Sequence, residues 1–160
     1  TGLQLASRLA AIGNEGRIMQ PHLLRQAHGA SGKVLARTLP RGAGQLASPL
    51  NARLMTRMME AVVEAGTGTD AQLDGFSIAA KSGTAQKVAP GEAGYAKNKF
   101  ISSFGGFFPA ENPRYFVLVV LDEVRDWKGR AGPWGGFTAG SVFRQIAASL
   151  VNLDQLHAGR

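Results

Sequence analysis

Two stretches in the first half of the chain carry apolar residues at helical spacing. In residues 3–12, leucine, isoleucine and alanine recur every three or four positions, and Gly-Asn-Glu-Gly at 13–16 ends the pattern. Ser48 followed by Pro49 predicts the start of a second helix, because a serine side chain caps a helix and proline suits its first turn. The apolar face of this second helix is wide and continues to Gly66. We expect this helix to be mostly buried.

The second half of the chain predicts a β-hairpin followed by a helix. Residues 100–108 and 115–121 are rich in aromatic and β-branched residues, and the Pro-Ala-Glu-Asn-Pro sequence between them favours a turn. Both predicted strands are apolar at adjacent as well as alternate positions, which is typical of a sheet covered by helices on both faces. A final helix should begin at Thr138 or Ser141.

Two further segments complete the predicted architecture. Extended segments at 19–26 and 32–39 flank the glycine-containing sequence His-Gly-Ala-Ser-Gly and predict a smaller hairpin. Residues 125–140 are rich in glycine and hold two tryptophans, so they form either a surface connection or a lid or partner site. With no repeat in the sequence, we expect one α/β unit of the α+β type, in which helices flank an antiparallel sheet.

The composition excludes several classes of function. A chain of 160 residues that is 44 % hydrophobic can bury a core, and the absence of cysteine excludes disulfides and thiol chemistry. The formal net charge is +7, but the cations are scattered singly and do not predict a nucleic-acid site. No apolar run is long enough to cross a membrane. Because the sequence opens without methionine, inside a helical pattern, we expect it to be part of a longer protein.

The sequence predicts neither a metal site nor a bound cofactor. His22, His28 and His157 lie far apart, without a carboxylate or a second histidine at ligand spacing, and each should be a surface residue. Residues 66–71, Gly-Thr-Gly-Thr-Asp-Ala, fit a dinucleotide-binding pattern but follow a predicted helix where that fold needs a strand.

The segment Phe-Ser-Ile-Ala-Ala-Lys-Ser-Gly-Thr-Ala-Gln-Lys at 76–87 holds the candidate chemistry. If residues 76–86 form a strand, alternation places the hydroxyls of Ser82 and Thr84 on one face, where both can bind one carboxylate. Lys81 adds positive charge nearby, and Gly83 lets a ligand approach the backbone. On an edge strand, a free N–H near Thr84 could stabilise an oxyanion. The strand offers no obvious nucleophile.

This segment resembles the Lys-Thr/Ser-Gly box of the penicillin-binding proteins and serine β-lactamases, the third motif of the active-site-serine transpeptidase family. Its flanks are similar to the monofunctional, class B group: a Gly-Thr-Gly turn precedes the strand, and an aromatic-glycine strand meets a Pro-Ala-x-Asn-Pro-Arg turn after it. Residues 1–24 and 135–147 resemble helices of the same family. The resemblance covers nearly the whole chain, except the loop at 124–134, and implies the penicillin-binding protein/β-lactamase-like transpeptidase fold.

The resemblance implies a role for each residue of the box. Lys81 would hydrogen-bond the serine of the second motif and assist proton movement. Ser82 and Thr84 would bind the terminal carboxylate of the substrate, with Gly83 beside them, and the Thr84 amide would supply half of an oxyanion hole. The reaction implied is acyl transfer from a D-Ala-D-Ala stem peptide to a serine, and then to the amine of a neighbouring stem.

The sequence departs from the family in one important respect. No serine in the chain is followed by lysine at the third position or by asparagine at the second, so the nucleophile motif Ser-x-x-Lys and the motif Ser-x-Asn are both absent. In the family both motifs precede the third. We therefore interpret residues 1–160 as the C-terminal portion of a transpeptidase domain that is inactive alone, with its missing N-terminal half packing beside residues 115–121.

The resemblance also implies partners and a location. The expected ligands are the peptidoglycan stem peptide, which reaches the enzyme on a lipid-linked precursor, and β-lactam antibiotics. The division or elongation machinery would be a further partner, and the protein would act in the bacterial envelope, on the periplasmic face of the cytoplasmic membrane, with its anchor upstream. A β-lactam-sensing receptor domain and a non-catalytic interaction module of the same fold remain alternatives.

Overall fold

The computed structural model describes residues 1–88, 91, 94–124 and 134–154. Within them the chain forms three α-helices, one short 3-10 helix and seven strands. In chain order the elements are α1 (Gly2–Gly13), β1 (Arg17–Met19), β2 (Gln26–His28), β3 (Val34–Arg37), β4 (Gly42–Gln45), α2 (Pro49–Glu64), the 3-10 helix (Thr69–Ala71), β5 (Ala79–Val88), β6 (Tyr95–Phe108), β7 (Tyr115–Asp122) and α3 (Thr138–Leu153).

The main sheet has three antiparallel strands in the order β5-β6-β7. Helix α3 packs on one face of β6 and β7, and α1 packs on the other. The predicted hairpin of β6 and β7 and the mixed α/β class with helices flanking an antiparallel sheet are confirmed. Two small sheets, β1 with β4 and β2 with β3, lie between α1 and α2 in the sequence, and the second of them is the predicted smaller hairpin.

Aromatic residues fill the core beside the main sheet. Phe104 and Phe108 of β6 are fully buried against Phe143 of α3, with ring centroids 5.1 Å and 6.0 Å from it. Phe107 points to the opposite face and packs with Met59 of α2. Each such ring removes a large apolar area from water, so these contacts hold the helices against the sheet.

Helix α2 begins as predicted but is less buried than predicted. The Ser48 side chain accepts a hydrogen bond from the Asn51 amide at 3.2 Å, and Pro49 is the first helical residue. Only a narrow stripe, Ala52, Met59 and Val63, is buried. The expectation of a mostly buried helix was wrong, because α2 packs on β5 along one side only. Four of its large apolar residues are exposed: Leu50, Leu54, Met55 and Met58.

Two other boundaries can be compared with the sequence. The strand expected from residue 76 begins at Ala79, because Phe76 instead forms an isolated bridge with Leu73. Helix α3 begins at Thr138, one of the two predicted starts. Residues 125–133 of the predicted loop lie outside the described residues, so both alternatives for it, a surface connection and a lid or partner site, stay predictions. Within the part of the chain that the structure describes, no helix has the length and apolar character needed to cross a bilayer.

Candidate active site

The strand that carries the Lys-Ser-Gly-Thr segment lies at the edge of the main sheet. Strand β5 pairs with β6 along one side, with Lys81 opposite Gly105 and Thr84 opposite Ser102, and no described strand pairs with its other side. The predicted edge strand is therefore present. Alternation along β5 places Ser82 and Thr84 on the face that α3 covers, and places Lys81 and Gly83 on the opposite face.

The Ser82 hydroxyl is held by a residue that sequence analysis did not single out. Its Oγ atom lies 2.8 Å from Oγ1 of Thr67, which follows the end of α2 in the Gly-Thr-Gly turn. The Gly68 amide donates to the Val62 carbonyl at 2.8 Å and fixes this turn to the helix. The sequence analysis identified the Gly-Thr-Gly turn before the strand. The separation of Thr67 from Ser82 in the sequence did not indicate that their hydroxyls would be in contact.

The Thr84 hydroxyl is held from the other side by the segment before α3. The backbone N–H of Gly135 donates to Thr84 Oγ1 at 3.1 Å. Gly135 is buried so closely over the sheet that a Cβ atom there would overlap the carbonyl oxygens of Gly83 and Ser103, and a Cβ on Gly136 would overlap the carbonyl of Thr67. Two adjacent glycines are therefore needed for this segment to reach β5 and the Gly-Thr-Gly turn at once.

Gly83 is in close contact with the central strand. A Cβ atom on Gly83 would lie 2.6 Å from the hydroxyl oxygen of Ser103, and that hydroxyl donates to the Gly83 carbonyl at 3.4 Å. A side chain at Gly83 would therefore require the Ser103 hydroxyl to move. The role of Gly83 in ligand approach stays a prediction.

Lys81 is exposed on the face opposite the two hydroxyls. Its ammonium group donates to the Ser82 carbonyl at 2.7 Å, so the side chain folds back along the edge of its own strand. The structure thus places Lys81, Ser82, Gly83 and Thr84 together on the open strand, with the two hydroxyls anchored by Thr67 and Gly135.

The far end of β5 is tied to the sheet by a group of charges. Lys87 donates to Asp122 at 2.9 Å and to Glu123 at 2.8 Å, and Lys99 lies 3.6 Å from Glu123. The hydrogen bond from Lys87, followed by its positive charge, lowers the pKa of Glu123, and the same bonds to Glu123 and Asp122 raise the pKa of Lys87. This group connects the edge strand to the end of β7.

The described residues contain no grouping of three or more His, Asp or Glu side chains that could hold a metal ion. His22 and His28 are exposed, as predicted, and His157 lies outside the described residues. The Gly-Thr-Gly-Thr-Asp-Ala segment follows α2 and leads into the 3-10 helix, so it lacks the strand that a dinucleotide site requires.

Comparison with known proteins identifies the family. The family model described as "Penicillin binding protein transpeptidase domain" matches residues 1–148. A probable peptidoglycan D,D-transpeptidase PenA of Neisseria meningitidis is 36 % identical over 152 residues, covering 94 % of this chain and 23 % of that protein. A peptidoglycan D,D-transpeptidase FtsI homolog of Chlorokybus atmophyticus is 33 % identical over 153 residues, covering 96 % of this chain and 21 % of that protein.

Solved structures agree with the sequence relatives. Penicillin-binding protein 3 of Mycobacterium tuberculosis has a TM-score of 0.82 and 26 % identity, covering all of this chain and 36 % of its own. The D,D-transpeptidase domain of a peptidoglycan glycosyltransferase from Eggerthella lenta has a TM-score of 0.78 and 31 % identity, covering 98 % of this chain and 33 % of its own. This chain thus spans less than a quarter of the length of the two sequence relatives named above. It belongs to the penicillin-binding protein transpeptidase family.

Proposed function

We propose that this chain is the C-terminal portion of a serine-type peptidoglycan D,D-transpeptidase and that β5 binds the D-Ala-D-Ala end of a stem peptide. The observation that carries the proposal is the open outer edge of β5, where two anchored hydroxyls flank Gly83. An extended peptide can add to such an edge through backbone hydrogen bonds.

Ser82 and Thr84 would bind the terminal carboxylate. The Gly135 amide donates to Thr84 Oγ1, so the hydroxyl proton of Thr84 remains available for a further acceptor. When Thr67 donates to Ser82, the Ser82 proton is available in the same way. Two hydroxyl donors on one strand face fit an anionic group, because hydrogen bonds to a charged acceptor are stronger than neutral ones.

The Thr84 amide would bind the developing oxyanion. Backbone groups two residues apart point to the same side of a strand, so the Thr84 N–H shares a side with the Ser82 carbonyl that Lys81 contacts. A backbone donor aimed at an oxyanion contributes about 2.7–4 kcal/mol in other enzymes. A nucleophilic serine would attack the carbonyl between the two D-Ala residues, the terminal D-Ala would leave, and an acceptor amine would take the acyl group.

Lys81 would assist the proton transfers of this reaction. Its ammonium group lies at the edge of the site, bonded to the Ser82 carbonyl. Lysine is flexible, so this side chain would exchange the carbonyl for the hydroxyl of a serine in a second motif when that motif is present.

The nucleophile itself is proposed to lie outside residues 1–160. Ser-x-x-Lys and Ser-x-Asn are absent from this sequence, and the relatives are several times longer than the chain. Incubating the 160-residue chain with a fluorescent penicillin should therefore give no covalent label. Labelling at Ser82 or at any other serine of the chain would contradict these assignments.

The substrate and partners follow from the same proposal. Structures of penicillin-binding protein 3 of M. tuberculosis have been solved with aztreonam and with ampicillin. We infer that the full-length protein that contains this chain binds β-lactams at β5, the strand that we propose for the stem peptide. Its substrates would be stem peptides of peptidoglycan and its lipid-linked precursor. It would act at the periplasmic side of the cytoplasmic membrane with the division or elongation machinery.

The decisive experiment compares two lysine variants in the full-length protein. Lys81→Ala should abolish labelling by fluorescent penicillin, whereas Lys99→Ala, an exposed lysine on β6, should label like the unmodified protein. Circular dichroism and urea unfolding establish that both variants fold. Full labelling of a folded Lys81→Ala variant would show that β5 does not carry the site.

A further inference from the structure

Although the cations are scattered singly along the sequence, the net positive charge is concentrated in one part of the chain. Between Glu15 and Glu60 there is no acidic residue, and the cations of this stretch alone equal the formal net charge of +7. The remainder of the chain is formally neutral. The cations are Arg17, Arg25, Lys33, Arg37, Arg41, Arg53 and Arg57.

Most of these cations lie on residues 17–45, which form the two small sheets and which we call the basic lobe. Among the described residues, Arg17 is the only cation of this stretch that forms an ion pair, with Glu15 at 3.1 Å. Positive charges without local counter-charges create an extended positive potential, which attracts an anionic partner.

The basic lobe also exposes open strand edges. Strands β2 and β3 form a two-stranded sheet, and a bond of 3.0 Å from the Thr38 amide to the Arg25 carbonyl extends their pairing. All four residues of β3 are exposed. No described strand lies beyond β3, so its outer edge presents backbone N–H and C=O groups to solvent.

A cleft adjoins the end of β3. It has a volume of about 420 Å³ and is lined by Arg37 and Arg41 together with Leu39 and Pro21. Leu35, which lies at a register shift of β3 two residues before Arg37, is 68 % exposed, and Leu39 is 64 % exposed. The lobe therefore places exposed leucines beside guanidinium groups. Arginine is enriched in protein interfaces and can bind a carboxylate in a bidentate manner.

We propose that the basic lobe docks an extended segment of another protein in which acidic and apolar side chains share one face. The segment adds to the outer edge of β3, its carboxylates meet Arg37 and Arg41, and its apolar side chains cover Leu35 and Leu39. This inference is independent of the proposed catalytic role of β5.

Two features favour a polypeptide over other anionic partners. An open strand edge needs both donors and acceptors at strand spacing, which a peptide backbone supplies and a lipid surface does not. Basic residues can also serve only to prevent edge pairing. That function does not call for exposed leucines beside the arginines or for a cleft at the end of the strand.

The test uses a fluorescently labelled synthetic peptide, a repeat of Ser-Leu-Ser-Glu. Its leucines and glutamates fall on one face of an extended chain at the spacing of Leu35 and Arg37. Matched peptides replace glutamate by lysine or leucine by serine, and a fourth carries N-methylated backbone amides. Fluorescence anisotropy should show binding of the first peptide to the full-length protein and at least about tenfold weaker binding of the other three.

Charge-matched variants separate the basic lobe from general electrostatics. Arg37→Gln with Arg41→Gln should weaken peptide binding at least about tenfold. Arg8→Gln with Arg144→Gln removes the same charge from exposed positions on α1 and α3 and should leave the affinity nearly unchanged. Leu35→Ser keeps every charge and should also weaken binding. Urea unfolding shows that each variant folds.

Three results would overturn the proposal. Equal loss of binding in both double-arginine variants would show attraction by net charge alone, and unchanged binding of the N-methylated peptide would exclude strand addition. The third is a protein that does not bind the peptide but binds vesicles of phosphatidylglycerol and phosphatidylcholine through Arg37 and Arg41. That result would identify a membrane as the partner instead.

Discussion

At the scale of single residues, the site depends on glycines whose neighbours leave no room for a side chain. Gly136 packs on the carbonyl of Thr67, and Gly83 packs on the hydroxyl of Ser103. The two positions differ in what could move. A backbone carbonyl is held by the turn around it, whereas a serine hydroxyl can rotate to another staggered position.

Gly136→Ala should therefore destabilise the protein by about 1–3 kcal/mol, the usual cost of overpacking a rigid site. Gly83→Ala should cost less, because only the Ser103 hydroxyl must rotate and its bond to the Gly83 carbonyl is already long, at 3.4 Å. Urea unfolding of both variants measures the difference. Equal destabilisation would show that the Ser103 hydroxyl is as rigid as the backbone.

Thr67 provides the second residue-scale prediction. Thr67→Val keeps the shape of the side chain but removes the hydroxyl that lies 2.8 Å from Ser82, so Ser82 loses an anchor worth about 0.5–1.5 kcal/mol. Fluorescent penicillin should acylate the full-length variant about two- to tenfold more slowly.

The matched control is Thr56→Val, which removes a hydroxyl bonded to the Ala52 carbonyl within α2. This variant also loses a hydrogen bond of a threonine hydroxyl, but that bond lies within α2 and does not involve Ser82. Its acylation rate should not change, and equal slowing in both variants would assign the effect of Thr67 to general stability.

At the scale of elements, the sequence predicted the features that depend on neighbouring residues. It did not predict features that depend on contacts with parts of the chain distant in sequence. The start of α2 follows from Ser48 and Pro49 alone, and the hairpin of β6 and β7 follows from the turn sequence between them. The burial of α2 does not, because it depends on how much of the helix the sheet covers. The contacts of Thr67 and Gly135 also join residues that are distant in sequence, so no local pattern reveals them.

The cap of α2 can be tested directly. Ser48→Ala removes the acceptor of the Asn51 amide and should lower the free energy of unfolding by about 1 kcal/mol. Ser149→Ala, in the interior of α3, removes a hydroxyl bonded to the Gln145 carbonyl and should change stability little, because that amino acid replacement also improves helix propensity. Equal effects in urea unfolding would contradict the role of Ser48 as a cap.

The charged group at the end of β5 predicts a pH dependence. The pKa of Glu123 is lowered mainly by its bond to Lys87, so this bond stabilises the fold above the unfolded carboxyl pKa of about 4.3, and the stabilisation is lost as the pH falls through the lowered value. The pKa of Lys87 is raised, so its contribution is present below about 10.4 and is lost as the pH rises through the higher value.

Lys87→Met should therefore be less stable than the unmodified protein at neutral pH, and the difference should disappear in acid. Lys33→Met is the control, since this exposed lysine forms no ion pair among the described residues. Urea unfolding between neutral and acidic pH measures both differences. A difference for Lys87→Met that is independent of pH would show that the ion pairs with Asp122 and Glu123 do not stabilise β5.

At the scale of the whole molecule, the main sheet of the described residues has two outer edges, with different consequences. The outer edge of β5 is polar and carries the candidate site, whereas β7 is an edge of valine, leucine and phenylalanine with no described strand beyond it. The fold matches solved transpeptidases over its full length while covering about a third of each. Long apolar strand edges pair readily with other chains.

The 160-residue chain should consequently self-associate through β7. Val120, which is 51 % exposed on this strand, is the position to test, because a lysine on an edge strand opposes pairing with a second copy. Light scattering should show that Val120→Lys shifts the chain toward monomer, while Leu153→Lys, at the exposed end of α3, leaves the association unchanged. If the unmodified chain is already a monodisperse monomer, the β7 edge does not drive self-association. If both variants dissociate equally, added charge rather than the strand edge governs association, and β7 has no special part in it.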